Sequence, residues 1–371
     1  MPFNIEYIRQ GELFTNLGKF LHLFSIIYIY NIIGAKNMDN LKDRVTIYQV
    51  AQAAGVSLAT VSRVINKQGS VTDKTREKVE KTIAALGYKP SGLAQALATN
   101  RTTSIGVIIP SANYVYIANV LNGITAVAKE KGYVLTLFST SHSREEALSM
   151  IEKVITQHVD GAIIFDDQLG AEDINTIASY NVPSIVIDAK VSGDKVGDIL
   201  LDYDECVTKL VKEYYKRGGD KEMTFLHVHN AGRLLARCEK NFVKASEELG
   251  KTYKVFNCDD SYARTYADFM QYFKTHKGGY FLCYRDSIAA AVMNAATDSG
   301  LNVPSEVEVV SIVGTKYASI VRPTLSSFHI DMSEVGKRAM YMLTDLMNRD
   351  LIEKTSKFDA QFVKGSSTKL D

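Results

Sequence analysis

Residues 46–66, TIYQVAQAAGVSLATVSRVIN, constrain this chain more than any other stretch. Ile47, Val50, Ala51 and Ala54 recur at helical spacing and form one apolar stripe. Gly55 stands where the chain must turn sharply, and a residue without a Cβ meets least resistance there. Ser57 is a natural N-cap for a second helix, which turns Val61, Val64 and Ile65 inward. Leu58, Ala59, Ser62, Arg63 and Asn66 are left facing outward. A short helix with small side chains and one arginine on its outer face suits the major groove of DNA. The bland alternative is a surface helical hairpin, since isolated patterns of this kind also occur without DNA binding.

Charge separates the two readings. Over residues 44–104 there are nine Lys or Arg against three Asp or Glu, a local net of +6, whereas the whole chain nets only +1. The first 43 residues balance, so residues 105–371 are net acidic. A basic head on an acidic body is the asymmetry of a nucleic-acid reader joined to something else. The 371 residues, 46% of them hydrophobic, are enough for two or three domains.

After the second helix, KQGSVTD reads as a loop in which Ser70 or Thr72 caps the next helix. TREKVEKTIAALGY is that third helix, with Val79, Ile83 and Leu86 as its buried stripe, ended by Gly87 and turned by Tyr88-Lys89-Pro90. The segment SGLAQALATNRTT is too polar and too short for a stable isolated helix, and suits a hinge that orders on docking.

From Ser104 onward, apolar strands alternate with amphipathic helices. SIGVIIP, YVLTLFST, GAIIF, PSIVID, MTFLHV, YKVFNC, YFLCY and VEVVSIV are the predicted strands. Continuous apolar strands with helices between them imply parallel sheets covered on both faces. The span accommodates two such subdomains, with a ligand cleft at the carboxyl ends of the strands. No GxGxxG, P-loop, HExxH or GxSxG motif occurs, so the body reads as a binder with no catalytic residue and no cofactor. Cys206, Cys238, Cys258 and Cys283 have no metal-ligand spacing and read as free thiols in a reducing cytosol. His227 and His229 fall on one face of a strand and suit a strand end near a cleft better than a metal site.

Together these stretches resemble the LacI/GalR family of bacterial transcription regulators across about residues 45–365, most specifically in TIYQVAQAAGVSLATVSRVIN, VTDKTREKV and LGYKP. The resemblance implies an α/β chain: a three-helix helix-turn-helix head (residues 45–90), a hinge (91–103) and a two-subdomain periplasmic-binding-protein-like core with parallel sheets (104–371). It implies a homodimer on a pseudo-palindromic operator of double-stranded DNA. By position, Leu58 and Ala59 match the pair that sets operator preference. Thr60, Ser62, Arg63 and Asn66 match surrounding phosphate and base contacts, and Tyr48 a backbone contact. With Ser57 and the minor-groove wedge Leu97, these are the expected DNA-binding residues.

The resemblance is less complete where a small-molecule effector should bind. Positions that often carry Arg and Asp in the family are Cys238 and Val313 here. Asp286 in YRDSIAAAV retains one expected ligand group, though a helix N-cap is an equal reading. Arg237, next to Cys238, compensates only if the local register shifts, and His229 completes the candidate effector set. The body is thus either tuned to an unusual sugar or phosphosugar, or without an effector. The reading helix and the carboxyl-terminal third are most similar to the catabolite-control branch, whose phosphocarrier-protein partner needs basic groups on its docking surface. This chain aligns Ser333, Glu334, Tyr341 and Asp345 there, and Asp345 repels a phosphate, so that partner is not carried over.

Residues 1–37 include the apolar run GKFLHLFSIIYIYNIIGA, read as translated upstream of a start at Met38. The expectation is a cytoplasmic, sequence-specific repressor in carbohydrate or catabolite control. The alternative is an exported or membrane-anchored sugar-binding protein.

Overall fold

A computed structural model describes residues 45–90 and 101–369, apart from Gln68, His142, Asn230, Ala231 and residues 351–352. The leader and the expected wedge Leu97 lie outside the described residues. The chain divides into two compact units, Met1–Asn100 and Arg101–Asp371.

Among the described residues the first unit holds three helices, α1 (Ile47–Ala54), α2 (Leu58–Ile65) and α3 (Asp73–Leu86). Two reciprocal bonds start α1: Thr46 N–H donates to Gln49 Oε1 at 2.7 Å, and Gln49 N–H donates to Thr46 Oγ1 at 3.4 Å. That capping box satisfies two donors the helix cannot satisfy itself. Gly55 takes the left-handed conformation, φ 60°, and Ser57 caps α2. Thr72, not Ser70, caps α3, and Gly87 ends it. Val50, Ala54, Val61 and Val79 are fully buried and pin the three helices together. The expected stripe on α3 fails at Leu86, which is 37% exposed; Tyr88, just past the helix end, packs on this small core instead.

The second unit contains two lobes. Lobe one is built on a six-stranded, wholly parallel sheet with strands β1 (Ser104–Ile109), β2 (Val134–Ser139), β3 (Gly161–Ile164), β4 (Ser184–Ile187), β5 (Val196–Asp202) and β11 (Thr355–Asp359), in the order β11-β5-β4-β3-β1-β2. Lobe two is built on β6 (Met223–Val228), β7 (Tyr253–Cys258), β8 (Gly279–Arg285), β9 (Val307–Val313), β10 (Ser326–His329) and β12 (Gln361–Val363), in the order β12-β10-β9-β8-β6-β7. Its strands are parallel, as expected, with one addition: the short edge strand β12 runs antiparallel to β10. Every residue of β9 is buried, as a strand covered on both faces requires.

Helices α4 (Val115–Lys131), α5 (Arg144–Thr156), α6 (Ala171–Ser179), α7 (Asp204–Lys216), α8 (Gly232–Glu248), α9 (Tyr262–Thr275), α10 (Asp286–Asp298), α11 (Lys316–Ile320) and α12 (Met332–Asn348) connect the strands. The chain passes between the lobes three times: after β5, after β10, and between β11 and β12. On its return α12 packs against α4 so closely that a Cβ on Gly123 would lie 1.9 Å from the Ser333 carbonyl oxygen, and one on Gly336 2.1 Å from that of Val120. The crossing therefore needs glycine on both helices. Strands β5, β10, β11 and β12 were not among the predicted ones. All but β5 are short, and β11 and β12 alternate exposed with half-buried residues as sheet edges do.

Candidate DNA-reading surface and interlobe cleft

Helix α2 presents the expected outer face. Leu58 is 37% exposed, Ala59, Arg63 and Asn66 are exposed, and Ser62 is half-buried. Tyr48 on α1 stands 70% exposed. No acidic residue occurs in residues 46–66, so nothing on α1 or α2 repels a phosphate. Two of the expected contacts also hold the helix together. Ser57 Oγ accepts from Thr60 N–H at 3.2 Å and lies 2.9 Å from Thr60 Oγ1. Asn66 Nδ2 donates to Ser62 Oγ at 3.3 Å, fixing the amide along the helix face.

In the second unit the groups at the strand ends face one another across the lobes. Arg237 on α8 of lobe two donates to Asp188, just after β4 of lobe one, at 2.8 Å, and to Asp204 at 3.4 Å. Asp188 is 5% exposed. Burial pushes its carboxyl up to about 6, against the pull of the Arg237 guanidinium. Arg233, one turn earlier, donates to the carbonyls of Leu169 at 2.9 Å and Asp166 at 3.2 Å, both beyond β3 of lobe one. Its backbone N–H, at the start of α8, donates to Asp167 Oδ1 at 3.3 Å. Gly232 permits that approach: φ is +82°, and a Cβ would fall 1.8 Å from Asp167 Oδ2. Asp166 is itself fixed by Thr140 Oγ1 at 2.5 Å and Gln168 N–H at 2.7 Å.

A second set of bridges spans the cleft from the end of β8. Arg285 pairs with Asp260, and its guanidinium lies 4.3 Å from the ring centre of Tyr114, at the start of α4 in lobe one. The Tyr114 hydroxyl donates to Asp260 Oδ2 at 2.9 Å. Beside Arg237 and Asp188 lies a cavity of ≈ 560 Å³, also walled by Lys190, Leu201 and Lys357.

The three expected effector residues are not gathered into one ligand-facing set. Arg237, and not Cys238, points toward the cleft, while Cys238 and Val313 are buried in the apolar core. Asp286 is the first residue of α10 and 4% exposed; it accepts from Thr315 N–H at 2.8 Å and Thr315 Oγ1 at 2.5 Å, tying down the loop after β9. Burial raises its carboxyl, and the Thr315 bonds oppose that. His229 lies one residue beyond the end of β6, exposed, its ring edge-on to His227, which pairs with Glu239 at 2.5 Å. The two rings stay side by side although β6 ends between them, at Val228. Asp167, Asp188, Arg233 and Arg285 were not anticipated. A signal was available: Arg233 and Arg237 are four apart and share a helix face, and the pair Asp166-Asp167 follows the apolar run GAIIF as Asp188 follows PSIVI.

On the surface aligned with a phosphocarrier dock, Glu334 and Tyr341 are engaged within the chain. Tyr341 donates to Glu130 at 3.0 Å with Lys131 over its ring, and Glu334 pairs with Lys337. All four cysteines are unpaired, and burial raises the Cys206 thiol to about 11. Among the described residues no helix is long and apolar enough to cross a membrane.

Residues 46–91 match the family model of bacterial regulatory proteins, lacI family, and residues 213–368 that of a periplasmic binding protein-like domain. Catabolite control protein A of Priestia megaterium is 30% identical over 325 residues, covering 84% of this chain and 95% of that protein. Its namesake from Staphylococcus aureus (strain MRSA252) is 30% identical over 316 residues, covering 84% and 94%. The lac repressor dimer, solved bound to operator and the anti-inducer ONPF, superposes with a TM-score of 0.75 at 26% identity, covering 87% of this chain and 99% of that one. Likeness of that extent joins the helical head and the two-lobed unit into one ancestry: the chain belongs to the lacI family of bacterial regulatory proteins and is a DNA-binding transcriptional regulator.

Proposed function

We propose that this regulator is a cytoplasmic repressor in carbohydrate or catabolite control, acting as a homodimer on a pseudo-palindromic operator. The observation that carries the reading is the outer face of α2, acid-free and exposed at Leu58, Ala59, Arg63 and Asn66. Leu58 and Ala59 read base edges, because only short apolar side chains let the helix backbone approach the groove floor. Arg63, Ser62, Asn66, Thr60, Ser57 and Tyr48 position the head on phosphates and neighbouring bases. Residues 91–103 act as the hinge, with Leu97 entering the minor groove at the operator centre. The lac repressor's complex with operator supports this reading, as does the catabolite-control identity of the relatives. The protein works by binding and release without catalysis, and the two lobes set how tightly the head holds DNA.

Selecting genomic fragments with the purified protein tests the proposal. Recovery of pseudo-palindromes with a central CG step is the expected result. Fragments without a shared motif, retained equally by a chain lacking residues 1–90, would sink it.

A further inference from the structure

The interlobe cleft is crossed at several points by side chains of the chain itself. Arg237 reaches Asp188 at 2.8 Å, and Arg233 reaches the Leu169 and Asp166 carbonyls at 2.9 and 3.2 Å. Asp167 sits on the amino end of α8, and Arg285 stacks on Tyr114, whose hydroxyl holds Asp260. Each contact joins a group of lobe one to a group of lobe two. The donors are those a polar small molecule would need: two guanidinium groups four residues apart and a helix amino end, where backbone N–H groups favour an anion. Here carboxylates and backbone carbonyls of the opposite lobe take them. Gly232 makes the fit specific, since any side chain there would meet Asp167.

We propose that the lobes are latched together by these internal pairs, with Asp167 and Asp188 serving as built-in ligands of α8, so that closure requires no small-molecule effector. These pairs are half-buried, Asp188 alone being buried, so they cost some desolvation and give little net stability, while removing one partner leaves a charge less well compensated. They therefore fix a geometry more than they strengthen the fold. A neutral sugar entering the cleft would have to displace charge-assisted bonds with weaker neutral ones. The consequence for DNA rests on the regulator reading above; the latch itself does not.

The test follows the lobes directly. Spin labels at Glu172→Cys in lobe one and Ala263→Cys in lobe two, both exposed positions, are placed in a full-length Cys206→Ser background. The wild-type cleft should give one narrow distance distribution, unchanged by glucose or inorganic phosphate. Asp167→Ala with Asp188→Ala should lengthen and broaden it. Should that variant not fold, Asp167→Asn with Asp188→Asn removes the charges at nearly constant volume and should do the same. Exchanging the charges, Asp188→Arg with Arg237→Asp, should narrow the distribution again relative to Asp188→Arg alone. A broad wild-type distribution, a shift of the wild type by either small molecule, or aspartate variants that match the wild type would overturn the latch. Failure to recover an operator in the genomic selection would overturn the regulator reading and leave these distances untouched.

Discussion

The reading helix and the interlobe cleft use polar side chains in opposite ways. Helix α2 leaves Arg63 and Asn66 exposed on a face with no acid nearby in sequence, and beyond the one amide bond from Asn66 to Ser62 their hydrogen-bonding capacity remains for a partner. In the cleft, Arg233 and Arg237 already donate to carbonyls and a carboxylate of the opposite lobe, so part of their capacity is taken by the chain itself. The difference teaches that an arginine in a cleft is not by itself a ligand group. What matters is whether the chain has already supplied its partner.

The comparison breaks most visibly at Gly232. Gly232→Ala forces a side chain into a left-handed backbone and onto Asp167, and should destabilise the second unit by about 3 kcal/mol. Urea unfolding measures it. Adding Asp167→Ala should recover more than additivity allows, because the clash goes with the carboxylate while the backbone strain stays. If the two effects simply add, Asp167 does not hold the start of α8 and the cleft is looser than these contacts imply.

Asp188 gives the next largest effect, on the order of 2–3 kcal/mol for a carboxyl raised from 3.8 to about 6. The folded chain holds this proton more tightly than the unfolded chain. The stability it contributes is thus fully present below about pH 4 and lost as pH rises through 6. Arg237 and Arg233 oppose the shift and Asp167 reinforces it. Asp188→Asn should remove the gain, so wild-type stability relative to the variant should rise as pH falls from 7 to 4. A pH-independent difference would show that the carboxylate is better solvated than its burial implies. At neutral pH the charged form is kept at a cost in stability, and the bond to Arg237 is what that cost sustains.

On the head, exchanging Ala59 for a residue that cannot approach the same base edge should cost about 1–3 kcal/mol of operator affinity and relax specificity at one position. Arg63→Ala should instead weaken all sequences together and flatten the salt dependence, measured by titrating DNA at several salt concentrations. The reverse pattern would exchange their roles.

Why the head was legible and the cleft was not comes down to the range of the interactions. Gly55, Ser57 and Gly87 act within a few residues, and their caps and turns appear in the structure where the sequence placed them. Leu86 failed because Ile83 and Tyr88 complete the small core, while Leu86 at the end of α3 faces outward. The central strands were legible as apolar runs. Strand β10 was not, because its four residues carry two serines and a histidine around one Phe. Strands β11 and β12 were not, because short edge strands bury only part of each side chain. The cleft pairs join residues far apart in sequence, such as Asp188 with Arg237 and Tyr114 with Asp260. Matching positions to a family pattern drew attention to Cys238 and Val313, yet those residues pack inward, and the charge beside one of them faces the cleft.

Ser57 offers the finest test, because it is both cap and candidate DNA contact. Its oxygen accepts from Thr60 N–H at 3.2 Å. If the Thr60 hydroxyl donates into the second lone pair across 2.9 Å, the Ser57 proton is released for a phosphate. Ser57→Ala removes cap and contact together and should cost about 1 kcal/mol of head stability. Glycine at an N-cap loses only a few tenths of a kcal/mol, so Ser57→Gly keeps the helix start while deleting the hydroxyl. It should weaken operator and random DNA alike, by about 1 kcal/mol, with the melting of the head nearly unchanged. Unchanged DNA affinity in Ser57→Gly would make the residue a cap alone, with its proton spent on Thr60. The reading face would then begin at Leu58.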